Sequence, residues 1–179
     1  MTDYINEIIK TNLFENIDKK EISNILENFK SQKKSYEKGN IIIDRGDKVE
    51  SIYIILNGKI EISKEYEDTR KNIVNIFESG EIFAEAIAFS TNKISPIIAI
   101  SLTKSEVIKI DIKNIFDNNF EKSKNIFIEN LLKIISDKNK FLSIKNDILS
   151  QKSLRSKIIL YLKYMSNMQK SKKITVPYS

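Results

Sequence analysis

The chain contains no cysteine and no histidine among its 179 residues. Without cysteine, disulfides, thiolate metal sites and cysteine-ligated iron–sulfur clusters are excluded. Without histidine, imidazole metal ligands, haem ligation through His and His-dependent catalytic triads are excluded as well. No activated nucleophile and no pair of carboxylates at a catalytic spacing stands out either. We therefore expect that the protein is not an enzyme.

Long apolar runs are also lacking. No stretch approaches the ~20 residues that a transmembrane helix needs, and the N-terminus has no signal-peptide pattern. We therefore expect no membrane association and a cytoplasmic location. The composition, 41% hydrophobic and 9% aromatic, is typical of a globular protein. The length accommodates one domain of about 100–150 residues and a smaller unit.

Glycine is scarce, and all of it falls between residues 34 and 112, at Gly39, Gly46, Gly58 and Gly80. Each glycine lies between short runs rich in β-branched residues with a two-residue period, at 41–43, 52–56, 60–62, 73–77, 97–100 and 107–110. Glycine at these joints indicates turns with positive φ, and Asn57-Gly58 favours a type I′ hairpin. Many short strands with regular turns predict a compact barrel or sandwich.

Helical periodicity precedes the strands. Residues 3–30 carry two apolar stripes at three- and four-residue spacing, which predicts a short helix, a break near residues 13–17 and a second helix. Asp18 stands where the second helix would begin, and Glu21 follows three residues later, a variant of the capping box. Asp18 is therefore predicted to be the N-cap.

A long helix is predicted after the strands, from about residue 111 to 149. Its apolar pairs recur every seven residues, at 127–128, 134–135, 141–142 and 148–149. Such a repeat keeps one seam facing a partner helix, so we predict a homodimer. Lys138 and Lys145 occupy alternate core positions and weaken this seam. Part of the stripe could instead lie on the protein's own body.

Charge is distributed unevenly along the chain. From residue 148 to 179 there are seven Lys or Arg residues and no Asp or Glu. This predicts a polyanion-facing end, although a solvated basic tail gives the same pattern. Residues 153–168 are predicted to form another amphipathic helix, and residues 173–177 look strand-like.

Taken jointly, several segments resemble the CRP/FNR family of transcription regulators. The segments are 36–42 (YEKGNII), 45–60 (RGDKVESIYIILNGKI), 79–89 (SGEIFAEAIAF), 105–110 (SEVIKI), 154–158 (LRSKI) and 174–179 (ITVPYS). The resemblance implies an α+β fold: an antiparallel β-roll of the double-stranded β-helix or jelly-roll type, with N-terminal helices and a long C-terminal dimerisation helix. It also implies a cyclic-nucleotide-binding-like sensor domain at 1–118, the dimerisation helix at 119–150, and an incomplete winged helix-turn-helix DNA-binding domain at 151–179.

The partners implied by this resemblance are a second copy of the chain, DNA and a small-molecule effector. Contact with DNA would pass through a C-terminal domain whose recognition helix this sequence does not reach. The residues expected in the dimer interface are Phe127, Ile128, Leu131, Ile134, Ile135, Phe141 and Leu142.

The implied effector site departs from the family pattern at two positions. Cyclic-nucleotide-binding members have a Gly-Glu pair and a later arginine that holds the phosphate. Here Glu85 matches, Ala84 replaces the glycine, and Ser95 stands where the arginine is expected. Losing that charge-assisted contact costs roughly 1.5–3 kcal/mol, about ten- to a hundredfold in affinity. Cyclic AMP is therefore not expected to be the effector.

The identity of the effector stays open. The residues expected around it are Phe83, Ala84, Glu85, Ala86, Ile87, Ser95 and Pro96. Either these residues surround a less anionic or more apolar effector, or the roll holds no ligand and its apolar side chains are simply core. Haem is possible only with an unusual ligand such as Tyr or Met. A cyclic-nucleotide module of a kinase or channel is the alternative function, whereas a cupin-type enzyme would need histidine ligands.

Overall fold

The structure is a computed structural model that describes residues 4–65, 71–113, 115 and 122–175. Eight strands and five α-helices are present in these residues. In chain order they are α1 (Ile5–Ile8), a 3-10 turn (Asn12–Phe14), α2 (Lys19–Asn28), β1 (Gln32–Tyr36), β2 (Ile41–Ile43), β3 (Ser51–Asn57), β4 (Lys59–Glu65), β5 (Lys71–Glu78), β6 (Ile82–Phe83), α3 (Glu85–Ala88), β7 (Ile98–Ser101), β8 (Ser105–Asp111), α4 (Lys122–Leu149) and α5 (Leu154–Gln169).

The strands form two antiparallel four-stranded sheets, in the orders β1-β8-β3-β6 and β2-β7-β4-β5. All six strand runs that the two-residue period predicts are observed. β1 and β6 are not predicted: β1 is polar and pairs with β8, and β6 is only two residues long. The predicted fold class, an α+β protein built on an antiparallel β-roll, is confirmed.

The predicted hairpin at Asn57-Gly58 is wrong. β3 and β4 flank Gly58 but lie in different sheets, so the chain crosses from one sheet to the other at this point. Gly58 has a φ of +98°, and a Cβ built on it would lie 2.1 Å from Ser105 Oγ. A type I′ turn also needs positive φ at the preceding residue, and Asn57 does not have it. Glycine is required here by close packing as well as by φ.

The two faces of the first sheet are buried against different parts of the body. Ile52, Ile54, Ile108 and Ile110 alternate along β3 and β8 and are fully buried on one face, and α1 contacts β3. On the other face Phe83 contacts Phe77 of the second sheet, with ring centroids 6.5 Å apart. That face is therefore the interior of the roll.

The N-terminal helices and the beginning of α4 share one aromatic cluster. Phe127 of α4 is fully buried, and its ring centroid lies 5.4 Å from that of Phe14 and 5.6 Å from that of Phe29. The break predicted between the two N-terminal helices is confirmed by the 3-10 turn. Asp18 is the N-cap residue of α2, but its side chain makes no capping hydrogen bond.

The predicted start of the long helix, near residue 111, is wrong. Asp111 is the last residue of β8, where its backbone pairs with Ser51. The carboxylate of Glu50 binds both Lys48, at 2.9 Å, and Lys113, at 3.1 Å. Hydrogen bonds from these two lysines lower the pKa of Glu50 to about 2. Asp111 and Lys113 therefore belong to the end of the roll rather than to a helix.

The chain divides into two compact units, residues 1–134 and 135–179. In the second unit the predicted helix at 153–168 is confirmed as α5, and the Ser153 side chain caps it by accepting a hydrogen bond from the Ser156 N–H at 3.0 Å. Of the strand-like stretch predicted at 173–177, residues 173–175 are not in a strand, and the rest lies outside the described residues. No helix in the described ranges combines the length and apolarity needed to cross a membrane.

Candidate effector site

The segment expected to bind an effector begins at the end of β6 and passes through Ala84 into α3. Ala84 has φ +69° and ψ 0°, a left-handed conformation that glycine adopts more easily than alanine. Its carbonyl oxygen accepts the N–H of Ala88 at 2.9 Å and so closes the single turn of α3. The single turn of α3 thus forms although alanine stands where the family pattern has glycine.

The predicted site residues on this segment differ in burial. Phe83 and Glu85 are buried, with 1% and 5% of their surfaces exposed. Ala86 is exposed, and Ala84 and Ile87 are partly buried. A carboxylate buried to this extent needs polar partners to offset the loss of hydration. Glu85 is therefore placed as an interior group rather than as a freely hydrated surface acid.

The polar groups of Ser95 form hydrogen bonds within the protein. Its hydroxyl donates to the carbonyl oxygen of Ile97 at 2.8 Å and accepts the N–H of Ile97 at 3.3 Å. The Ser95 N–H donates to the Asp47 carbonyl at 2.8 Å, and the Ser95 carbonyl accepts the Gly46 N–H at 2.9 Å. With its side chain 2% exposed, Ser95 closes a turn, and its hydroxyl and N–H are not available for a bound anion.

The predicted site residues lie on two segments of the chain. Phe83–Ile87 are consecutive, on β6 and α3, whereas the hydrogen bonds of Ser95 run to the turn at Gly46 and Asp47 and to Ile97. Pro96 is exposed beside Ser95. Ser95 is thus tied to the turn before β3.

An aromatic stack that the sequence pattern does not single out includes Phe83 of the predicted site. The rings of Tyr53 and Phe83 are stacked with centroids 4.9 Å apart, and Phe77 stacks on Phe83 from the opposite sheet. Burial, with smaller effects from Tyr36 and Asp47, raises the pKa of Tyr53 to about 12. The stack makes this part of the roll interior apolar. The two-residue period along β3 could have shown that Tyr53 and Ile55 share a face.

The residues predicted to form a dimer interface fall into two groups on α4. Phe127 and Leu131 are buried in the body of their own chain, with 0% and 3% exposed, so their assignment to an interface is corrected. They lie one turn apart on the side that faces the N-terminal helices. An apolar periodicity cannot distinguish a partner helix from the protein's own helices.

The other interface residues are more accessible. Ile128, Ile134 and Ile135 are partly buried, and Phe141 and Leu142 are 47% and 48% exposed. The Phe141 ring packs beside Tyr164 of α5, with centroids 6.4 Å apart. An apolar surface on this length of α4 therefore stays open in a single chain.

The described residues contain no group of three or more acidic side chains that could hold a metal ion. The sequence leaves open a tyrosine or a methionine as an unusual haem ligand, and Tyr53 is one of the seven tyrosines. Tyr53 stacks in the interior with a raised pKa, which opposes the phenolate form that binds iron.

Comparisons with known proteins agree on the roll. Residues 33–118 match the family model of the cyclic nucleotide-binding domain. No curated protein sequence matches the chain significantly. The family match and the structural neighbours indicate regulatory domains and no enzyme family.

Three solved structures show the extent of the similarity. Catabolite Activator Protein from Thermus thermophilus is 17% identical with a TM-score of 0.66, and the alignment covers 78% of this chain and 63% of that one. A cyclic nucleotide-binding domain from Methylobacillus flagellatus is 14% identical with a TM-score of 0.71, covering 84% and 86%. The sensor domain of the transcriptional regulator DNR from Pseudomonas aeruginosa is 15% identical with a TM-score of 0.58, covering 84% and 95%.

The resemblance predicted from the sequence is confirmed. Residues 33–118 are similar to the cyclic nucleotide-binding domain, and the structural neighbours include Catabolite Activator Protein and the transcriptional regulator DNR. At sequence identities of 14–17%, this structural similarity establishes a shared fold only. The chain spans about 63% of the length of the Thermus thermophilus protein.

Proposed function

We propose that this chain is the sensor part of a homodimeric DNA-binding transcription regulator, in which a small molecule other than cyclic AMP changes the orientation of the DNA-binding units. The observation that carries the proposal is the 28-residue helix α4. It begins among the buried aromatic rings of the roll body and continues as a helix with exposed apolar pairs. A helix that served only to cover the roll would not need those pairs.

In this proposal the dimer interface is formed by the accessible part of the predicted set. Ile128, Ile134, Ile135, Phe141 and Leu142 recur at the seven-residue spacing that keeps one seam against a partner helix. Phe127 and Leu131 anchor α4 to its own body instead. The same helix would then contact both the sensor and the partner chain, which is what coupling between them requires.

DNA is the proposed partner of the second unit. Every charged side chain after residue 147 is basic, whereas the preceding part of the chain is close to neutral. Phosphate neutralisation by Lys and Arg supplies most of the non-specific affinity of proteins for DNA. The alternative, a regulatory module of a kinase or channel, does not call for this asymmetry.

The proposed effector is not cyclic AMP because the two groups that would hold its phosphate are changed. A serine whose hydroxyl closes its own turn replaces the expected arginine, and aromatic rings stack on Phe83, another residue of the expected site. An apolar or weakly anionic molecule suits this environment better than a phosphodiester. We propose no catalytic role.

The effector part of the proposal is tested by thermal denaturation of the purified chain with millimolar cyclic AMP. We expect no change in the melting temperature, because no arginine is present to offset the desolvation of the phosphate. A rise of several degrees would contradict the proposal and favour the kinase or channel alternative. Independently of that result, native mass spectrometry of protein purified from its own cells would reveal a co-purifying effector as an added mass.

A further inference from the structure

The chain is folded back in a defined way where α5 ends. Lys170 has a left-handed conformation with φ +46° and ends the helix. The Ser171 N–H donates to the Ser166 carbonyl at 3.1 Å, and the Ser166 hydroxyl donates to the Ser171 carbonyl at 2.8 Å. The Lys173 N–H donates to the Ser171 hydroxyl at 3.0 Å. These bonds fix residues 170–173 against the last turn of α5.

One side chain fastens the end of this segment. The Gln169 amide nitrogen donates to the Thr175 carbonyl at 2.6 Å, and its amide oxygen accepts the Thr175 N–H at 2.9 Å. Both backbone groups of Thr175 are thus satisfied by a single side chain. We call residues 170–175 the basic hook.

The hook presents cations together with short polar groups. Lys170, Lys172 and Lys173 are exposed, and in the described part of the chain none of them forms an ion pair. Lys163 precedes Lys170 by seven residues and so lies on nearly the same side of α5. Ser171 and Asn167 line the same concave surface.

No acidic residue after position 147 could neutralise this cluster. Clustered like charges repel each other, and binding a polyanion relieves that repulsion. Lys side chains combined with Ser and Asn groups are the usual partners of DNA phosphate oxygens. Duplex DNA offers a continuous row of such phosphates, about one charge per 1.7 Å of helix axis.

We infer that the basic hook is a contact surface for the phosphate backbone of double-stranded DNA. The inference rests on the proposed DNA-binding function and goes beyond it by placing a contact on a segment outside any recognition helix. The hook contact is independent of base sequence. Its geometry depends on the Gln169–Thr175 clamp as well as on charge.

The contribution of the lysine charges to DNA binding is tested by fluorescence anisotropy over a range of salt concentrations. The experiment uses the full 179-residue chain and a labelled duplex of arbitrary sequence. The variant is K170Q/K172Q/K173Q. Each lost phosphate contact lowers the slope of log affinity against log salt by about 0.9, so we expect a decrease of about 2–3. The control K10Q/K20Q/K38Q removes the same charge from the first unit and should leave the slope nearly unchanged.

The contribution of the hook's geometry to DNA binding is tested with Gln169→Ala, which keeps every charge but removes the two hydrogen bonds to Thr175. We expect weaker binding at each salt concentration with circular dichroism unchanged. Gln32→Ala on the exposed strand β1 is the matched control and should bind as the unaltered chain does.

The outcomes separate the two proposals. If the unaltered chain binds no duplex at low salt, the inference about the hook fails, whereas the proposed DNA-binding function does not fail with it, because that function would act chiefly through a recognition helix and not through the hook. If it binds but the hook and control triple variants lose affinity and slope equally, only the placement at the hook is overturned. Displacement of the duplex by polyglutamate at equal charge concentration would also overturn it, because the surface would then be a general site for acidic chains.

Discussion

Two residues decide how the sensor departs from a cyclic-nucleotide site. Ala84 keeps a backbone conformation suited to glycine, and Ser95 uses its side chain to close a turn rather than to contact a ligand. The first replacement strains the backbone, and the second removes a positive charge. Together they change the chemistry of the expected effector site.

The strain at Ala84 leads to a prediction about stability. The left-handed conformation costs an L-residue roughly 1–2 kcal/mol, which glycine does not pay. Ala84→Gly is therefore expected to raise the free energy of unfolding by about 1 kcal/mol, measured by urea denaturation. Ala88→Gly, at a buried helical position four residues later, should lower it by about the same amount. A destabilised Ala84→Gly protein would show that the alanine methyl group contributes more than the strain costs.

The sequence predicted these site residues as a set but not their environments. Glu85, Ala84 and Ser95 were assigned to the site by the resemblance to the CRP/FNR family. The use of the Ser95 hydroxyl within its own turn depends on three-dimensional contacts with the segment at Gly46 and Asp47. No one-dimensional pattern reports such contacts.

At the scale of elements, α4 is joined to the N-terminal helices by a polar contact as well as by aromatic packing. The Asn130 side-chain nitrogen donates to the carbonyl oxygens of Leu13 at 3.3 Å and Glu15 at 2.8 Å. Asn130 is only 3% exposed, so water could not easily replace it. The contact fixes the 3-10 turn against α4.

Removing this contact should be costly. Asn130→Ala leaves two carbonyl groups without their donor, and we expect the free energy of unfolding to fall by about 2–3 kcal/mol. Asn125→Ala, at an exposed position on the same helix, should change it by less than about 0.5 kcal/mol. Urea denaturation of both variants measures the difference. Equal effects would mean that Asn130 does not hold the turn.

Element boundaries were predictable where a periodicity was strong. The strands of the roll, the break between α1 and α2, and α5 follow from two- or four-residue repeats. β1 was missed because its residues are mostly polar and its pairing depends on β8, far away in sequence. The crossing at Gly58 was read as a hairpin because local sequence cannot show which sheet the next strand joins.

At the scale of the whole molecule, α4 contributes to both compact units. Its first turns are buried in the roll body, and its later turns carry the apolar pairs proposed to bind a second chain. The seven-residue repeat predicted the existence and the end of this helix correctly, whereas its start lies later than predicted. It could not divide the repeat between the protein's own core and a partner, because Phe127 and Phe141 look alike in sequence.

The central claim of the proposed function is that two chains associate through the later part of α4. Light scattering coupled to size-exclusion chromatography should give twice the mass of one chain for the unaltered protein and the mass of one chain for F141E/L142E. The variant S136E/S143E adds the same charge on the opposite face of α4 and should stay dimeric. A single-chain mass for the unaltered protein at micromolar concentration, or a dimer that survives F141E/L142E, would contradict the account.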